Sequence, residues 1–424
     1  MVTDAARPVV KRGWIKERIF LGLSAKEYIK QQFTPFNLVT GILIIAALVL
    51  VGIRFAFGLG AVTNASNDQP WGLFLSWGLF SGVPLSATGF VLGTAVYVFG
   101  LKKYHPVVKN AVLLGFLGYL FAVIFLLIDL GRPRRLPYPM VVSWGTASVL
   151  FLVAWHVALY LTCQFLEFSP SISEWGGWRR LRNGGMAIVV GLTIFGIILS
   201  TLHQSALGAM FLLVPGKLHP LWYSPYLPIL FLTSAIAAGI CMVIFITYIT
   251  KHFLKRFTDA EYMVNIDKIT LGLGTAVAFV LFTYFGLKLI ALANSNSWDL
   301  LNTPLGYWYL VELLVFVLAP CFLFAYAIRK KNVRLIQYTA LYTVIGVIIN
   351  RFNVSLVALN WNLPNRELLN WKELLIVIGI IALQIQVYRW IVTRMPVLRE
   401  HPDFKAEPVE SDREPEAVVE LSKE

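Results

Sequence analysis

Ten long apolar stretches, interrupted by short polar clusters, make up most of this chain. Crossing about 30 Å of hydrocarbon takes roughly 20 apolar residues. The runs near 36–60, 72–100, 107–128, 146–167, 184–206, 224–250, 267–293, 304–329, 333–359 and 372–395 are long enough to do so. The pattern predicts an all-α polytopic membrane protein of about ten transmembrane helices. The last run, ELLIVIGIIALQIQVYRWIV, carries two Gln residues that a protein-facing side tolerates.

Composition agrees: 58% of the 424 residues are hydrophobic and 14% charged, and the mean hydropathy is +0.70, too apolar for the surface of a soluble domain. The net charge of +13 lies in short clusters between the runs. It therefore reads as a topology signal and excludes a nucleic-acid face. Counting Lys and Arg near the ends of the runs gives 24 on one side and six on the other: Arg132, Arg134, Arg135, Lys217, Arg366 and Lys372. Basic residues stay cytoplasmic, so both termini are expected in the cytoplasm, with the protein in the inner membrane.

Residues 1–35 read as a basic cytoplasmic segment without a cleavable signal, 36–398 as the membrane domain, and 399–424, rich in Glu and Pro, as a disordered cytoplasmic tail. Cys163, Cys241 and Cys321 fall inside apolar runs without CxxC spacing, which points to packing. Gly78, Gly82, Gly89 and Gly93 form two GxxxG spacings in the second run that permit close helix approach. Pro84 and Pro320 predict kinks.

Ionisable groups inside hydrocarbon are costly, and each is a site hypothesis. By position in the runs, Arg54, Asp129, His203, Gln204, Lys288, Glu312, Asn350 and Arg351 all fall in the outer half, with His156 near the middle of the fourth run. His203 and Gln204 close the fifth run, so His203 is either a site residue or a helix end emerging into water. Glu312 and Arg351 pair with each other or with Lys288, as a structural ion pair or a functional one. A quinone headgroup suits such a set, because it needs an apolar slot, donors to its carbonyls and proton-exchanging groups. Trp71, Trp77, Trp144, Trp222 and Tyr223 could wall that slot or serve as an aromatic belt.

Bis-histidine haem needs two His at matching depth. His156 and His203 are expected to be offset by several residues, and the other four His fall in loops or tails. No GxxxxGK[ST] loop is present to support ATP-driven transport. The cations of DLGRPRRLPYP, after the third run, form either a lipid-facing or loop-capping cluster or a loop that docks an external partner.

Five segments carry a resemblance: STLHQSALGAMFLLVPGKLHPLWYSP (200–225), FGLGAVTNASNDQPWGLFLSWGLFSG (57–82), DLGRPRRLPYP (129–139), LEFSP (166–170) and RFNVSLVALN (351–360). They resemble NrfD/polysulfide-reductase-type membrane subunits, nearest the HybB-type branch of nickel–iron hydrogenases, from about residue 36 to 395. The resemblance implies a haem-free and metal-free subunit of a respiratory redox complex, built on two four-helix bundles (about 72–206 and 224–359) with flanking helices. It further implies electron exchange between an outer-face iron–sulfur, ferredoxin-like subunit and menaquinone. Hydrogenase, multihaem cytochrome or sulfur-metabolism subunits would be the wider partners in anaerobic respiration. His203 and Gln204 match the HQS motif, Arg132 matches the LGRP motif, and Glu312 and Arg351 match later polar positions.

The leading expectation is quinone chemistry with His203 or Asp129 as the proton-exchanging group. Gln204, Arg132, Trp77 and His156 would bind the quinone, and Glu312, Lys288, Arg351 and Asn350 would form a relay. A secondary transporter and a passive anchor for an external enzyme are the alternatives.

Overall fold

The computed structural model describes residues 14–364, 366, 369–401 and 404. Ten helices are long and apolar enough to cross a membrane: spans 1 to 10 run Pro35–Phe57, Leu73–Val98, Lys102–Asp129, Val149–Gly176, Arg179–Leu213, Leu227–Phe253, Tyr262–Ser295, Pro304–Arg329, Val333–Val357 and Trp371–Arg394. An even number of crossings puts the two ends of the helical domain on one side, here the terminal face. The opposite side is the far face. Two short helices, Trp14–Arg18 and Ala25–Gln32, precede span 1, the second closed by a capping box between Ser24 and Glu27. The tail expected to be disordered lies, but for 399–401 and 404, outside the described residues.

Spans 4 and 5 pack along their length, as do spans 1 and 10, spans 6 and 7, and spans 6 and 9. Span 6 also reaches spans 2 and 5. There Gly239 lies so close to Ala87 that an added Cβ would meet its backbone at 2.9 Å. The glycine stripe of span 2 mostly makes room for side chains. A Cβ at Gly78 would strike Phe125, one at Gly89 Gln164, and one at Gly93 Thr193. Cys163, Cys241 and Cys321 are free and buried.

Span 2 is interrupted where Pro84 predicts it. Between segments Gly82–Leu85 and Thr88–Gly93 the helix tightens to a turn at Ser86 and Ala87, where the Ala87 N–H reaches back only three residues to the Pro84 carbonyl (3.1 Å), and wide π turns flank it. In span 8 a π segment, Val311–Leu318, precedes Pro320, the second residue of the next α segment.

Spans 4 and 5 outrun the sequence expectation furthest. Span 4 continues through LEFSP, because Ser169 Oγ donates at 2.7 Å to the Leu166 carbonyl that Pro170 leaves without an N–H partner. It ends where Gly177 adopts φ 78°. Span 5 runs to Ala209 and on through a 3₁₀ turn to Leu213, so its last turns extend past His203.

Candidate functional site

His203 is fully buried, which removes the reading of an emerging helix end. Its Nδ1 lies 2.8 Å from the Leu199 carbonyl, four residues back. A carbonyl only accepts, so Nδ1 carries the proton, and Nε2 accepts from the Tyr119 hydroxyl of span 3. Gln204 Nε2 donates to Tyr119 Oη (3.3 Å) and to the Val83 carbonyl (3.2 Å) in the broken part of span 2, while its Oε1 is buried without a partner. Tyr160 of span 4 packs edge-on against Tyr119 with centroids 4.6 Å apart, and its ring lies 5.4 Å from that of His203.

The expected depth offset between His156 and His203 is corrected. Spans 4 and 5 are antiparallel, and Thr193 touches Glu167. His203 lies ten residues beyond Thr193 towards the far face and His156 eleven beyond Glu167, so at 1.5 Å per residue the two are level to within about 2 Å. Equal depth does not make a haem site. Both ring nitrogens of His203 are already hydrogen-bonded, to Tyr119 and Leu199, so ligation would break the contact that orients the ring. The His156 side chain is half-buried and has no hydrogen-bond partner among the described residues, with its Nδ1 enclosed. Among the described residues no group of three or more His, Cys, Asp or Glu side chains could hold a metal ion.

Three residues expected beside His203 sit elsewhere. Asp129 is ten residues from Tyr119 on the same helix, about 15 Å nearer the far face. Around it, Arg54 of span 1 donates to the Ile128 and Leu130 carbonyls at the C-terminus of span 3. Glu373 of span 10 accepts from the Phe74 N–H at 3.1 Å, at the start of span 2. Gly72 makes that approach possible, since a Cβ there would meet Glu373 Oε1 at 2.4 Å. Trp77 packs against Phe352 of span 9, and Arg132 is exposed in the far-face loop. The single constellation read from sequence is therefore several separate clusters.

The third cluster joins spans 7, 8 and 9. Glu312 Oε1 accepts from Lys288 Nζ (2.8 Å) and Asn350 Nδ2 (2.7 Å), while Oε2 accepts from Trp222 Nε1 (2.8 Å) and Asn353 Nδ2 (2.6 Å). Lys288 is the ionic partner. Arg351 donates instead to Ser234 Oγ (2.7 Å), the Phe231 carbonyl (3.1 Å) and Asn350 Oδ1 (3.2 Å), with its guanidinium 3.6 Å from the Phe231 ring centroid. A cavity of about 20 Å³ beside Lys288, Asn350 and Arg351 has room for one water but none for a quinone ring.

Above this cluster, the far-face loop of KLHPLW is tied to the end of span 9 by an isolated bridge between Leu218 and Leu359. His219 there is held between the rings of Trp222 and Trp361, and its Nδ1 accepts from the Leu221 N–H at 3.3 Å. Burial lowers its pKa below the ordinary histidine value.

Sequence reasoning missed Tyr119, Tyr160, Gln164, Glu167, Asn353 and Glu373. For three of them a signal existed: Tyr160, Gln164 and Glu167 recur at helical spacing after His156.

Ten helices fit to cross a membrane, with histidine, tyrosine and carboxyl groups buried between them, define a polytopic membrane protein. The family model for polysulphide reductase, NrfD, matches residues 61–360, and the chain belongs to that family. A protein of Nitratidesulfovibrio vulgaris is 46% identical over 378 residues, which cover 89% of this chain and 97% of its own length. The probable Ni/Fe-hydrogenase 2 b-type cytochrome subunit of Escherichia coli is 30% identical over 366 residues, 85% of this chain and 92% of its own. The integral membrane subunit of menaquinone reductase from N. vulgaris is 26% identical over 338 residues, 72% and 76% of the two chains.

Proposed function

We propose that this chain is the quinone-reactive membrane subunit of a respiratory redox complex in the inner membrane. It exchanges electrons between an iron–sulfur protein docked on the outer, far face and menaquinone held in the outer half of the first bundle. One observation carries the reading. A hydrogen-bonded His203–Tyr119–Gln204 group lies at the same depth as His156, a half-buried histidine whose Nδ1 is enclosed and whose Nε2 is the ring nitrogen left for a ligand. A quinone carbonyl needs a donor, and a neutral imidazole carrying its proton on the ring nitrogen that faces the carbonyl supplies one. Relatives described as a menaquinone reductase subunit and a hydrogenase subunit support the same class of chemistry.

Menaquinone brings the two-electron, two-proton chemistry, and this chain's residues bind, orient and exchange protons. His156 offers the contact on the side open to lipid, and His203, fixed through Nδ1 by Leu199, exchanges a proton through Tyr119. Asp129, about 15 Å nearer the far face, is placed for proton exchange with the outer solution rather than for headgroup contact. Arg132, exposed in its loop, is assigned to the docked partner. The Lys288–Glu312–Asn350 cluster, with Arg351 beside it, holds a compensated charge next to a water-sized cavity and stabilises the charge that accompanies reduction.

The test is donor-driven reduction of a menaquinone analogue by the purified complex. His203→Ala should cut turnover about 100-fold or more, and Glu312→Gln should cut it less. Full activity in both assembled variants contradicts the assignment.

A further inference from the structure

Polar side chains recur along span 4 at His156, Tyr160, Gln164, Glu167, Ser171 and Glu174, with spacings of 4, 4, 3, 4 and 3. Such spacing lines one face of an α-helix. The stripe starts level with His203 and ends at the terminal-face end of the helix.

Glycines of three neighbouring helices open space for it. A Cβ at Gly89 would meet Gln164 Nε2 at 2.6 Å, and one at Gly115 its Oε1 at 2.8 Å. One at Gly93 would meet Thr193 at 2.6 Å, and one at Gly196 the Tyr160 ring at 3.3 Å. The members also touch. Tyr119, bonded to His203, packs on Tyr160, whose hydroxyl accepts from Gln164 Nε2 at 2.5 Å. One turn further, Glu167 accepts from Thr193. At the end of the helix Glu174 meets Arg182 (3.1 Å) and Lys109 (3.4 Å).

Two features separate this stripe from packing. Gln164 is fully buried, yet its Oε1 has no hydrogen-bond partner among the described residues. Glu167 lies within a membrane span with Thr193 as its hydrogen-bond donor and no ion-pair partner among the described residues. Glu312, by contrast, is closed by four donors. No carboxylate or histidine continues from it until the terminal-face ends of spans 6–9.

We propose that this stripe carries protons between the terminal face and the His203–Tyr119 pair, with Glu167 as the relay carboxyl. The inference rests on the quinone reading. Each quinone reduced to quinol gains two electrons from the docked redox partner and two protons, and the stripe delivers protons from the cytoplasmic side. Waters bridge two intervals, about 4.5 Å from Gln164 to Glu167 and about 10.5 Å from Glu167 to Glu174, in axial rise. Ser171 and Ser173 are buried along the second.

The experiment reconstitutes the complex in vesicles with the far face outward, a pH dye trapped inside, and donor and menaquinone analogue supplied outside. The wild type should alkalinise the lumen in proportion to quinol formed. Glu167→Gln should lower lumen protons taken per quinol about tenfold while binding the analogue as the wild type does, and Glu167→Asp should restore uptake. Gln164→Leu, which keeps Glu167, should give the same loss. Wild-type reduction without lumen alkalinisation, or unchanged uptake per quinol in both Glu167→Gln and Gln164→Leu, overturns the track. A wild type that neither binds nor reduces the analogue overturns the quinone reading beneath it.

Discussion

At the scale of single residues, hydrogen-bond direction decides what each histidine does. The Leu199 carbonyl can only accept, so His203 keeps its proton on Nδ1 and accepts a hydrogen bond from the Tyr119 hydroxyl at Nε2. Tyr119→Phe leaves the ring in place and removes that donor. Turnover with a menaquinone analogue should fall about 100-fold with analogue binding retained; equal turnover would remove Tyr119 from the proton path. His219 tests a different point. Its pKa is depressed by burial, so the unfolded loop binds the proton more readily than the folded one. Its contribution to the loop is complete above the ordinary histidine pKa of about 6.5 and is lost as pH falls towards the depressed value. Protection against hydrogen exchange at 217–223, taken relative to the intrinsic rate, which itself slows as pH falls, should therefore decrease as pH drops from 7.5 to 5, and His219→Gln should flatten that response.

At the scale of helices, the ten spans were legible because a bilayer demands continuous apolar runs, and their number and order follow from that demand. The ends were less legible. Polar residues that partner one another, such as Glu174 with Arg182, let spans 4 and 5 continue where hydropathy falls. Depth along one helix was legible for His203, Lys288 and Glu312 but not for His156, because span 4 extends to Gly176 and so places His156 in its far-face third. Lateral placement was not, since periodicity says nothing about which helix faces which, and so Asp129 and Trp77 were grouped with His203. Two consequences belong here. Gly89→Leu should displace Gln164 and destabilise the bundle by about 1–3 kcal/mol, measurable as a lower unfolding midpoint in detergent. Lys288→Met alone leaves Glu312 buried without its cation and should cost about 3–5 kcal/mol, whereas Lys288→Met with Glu312→Leu should recover much of that loss. A double variant no better than the single would show that the pair is not a closed structural unit.

For the whole molecule, the polar groups separate into clusters, of which the His203–Tyr119–Gln204 group is level with the half-exposed His156, and the proposed quinone position rests on that separation. In the proposed reading, the excess of basic residues on the terminal face assigns that face to the cytoplasm and the far face to the external redox partner. The most direct measurement is binding of a fluorescent menaquinone analogue to the chain in lipid nanodiscs, read by quenching. The account predicts one site per chain, weakened at least tenfold by His156→Leu, a loss of about 1.4 kcal/mol, and unchanged by Asp129→Asn or Glu312→Gln. Binding that survives His156→Leu intact, or is abolished only by the changes at Asp129 or Glu312, would contradict it.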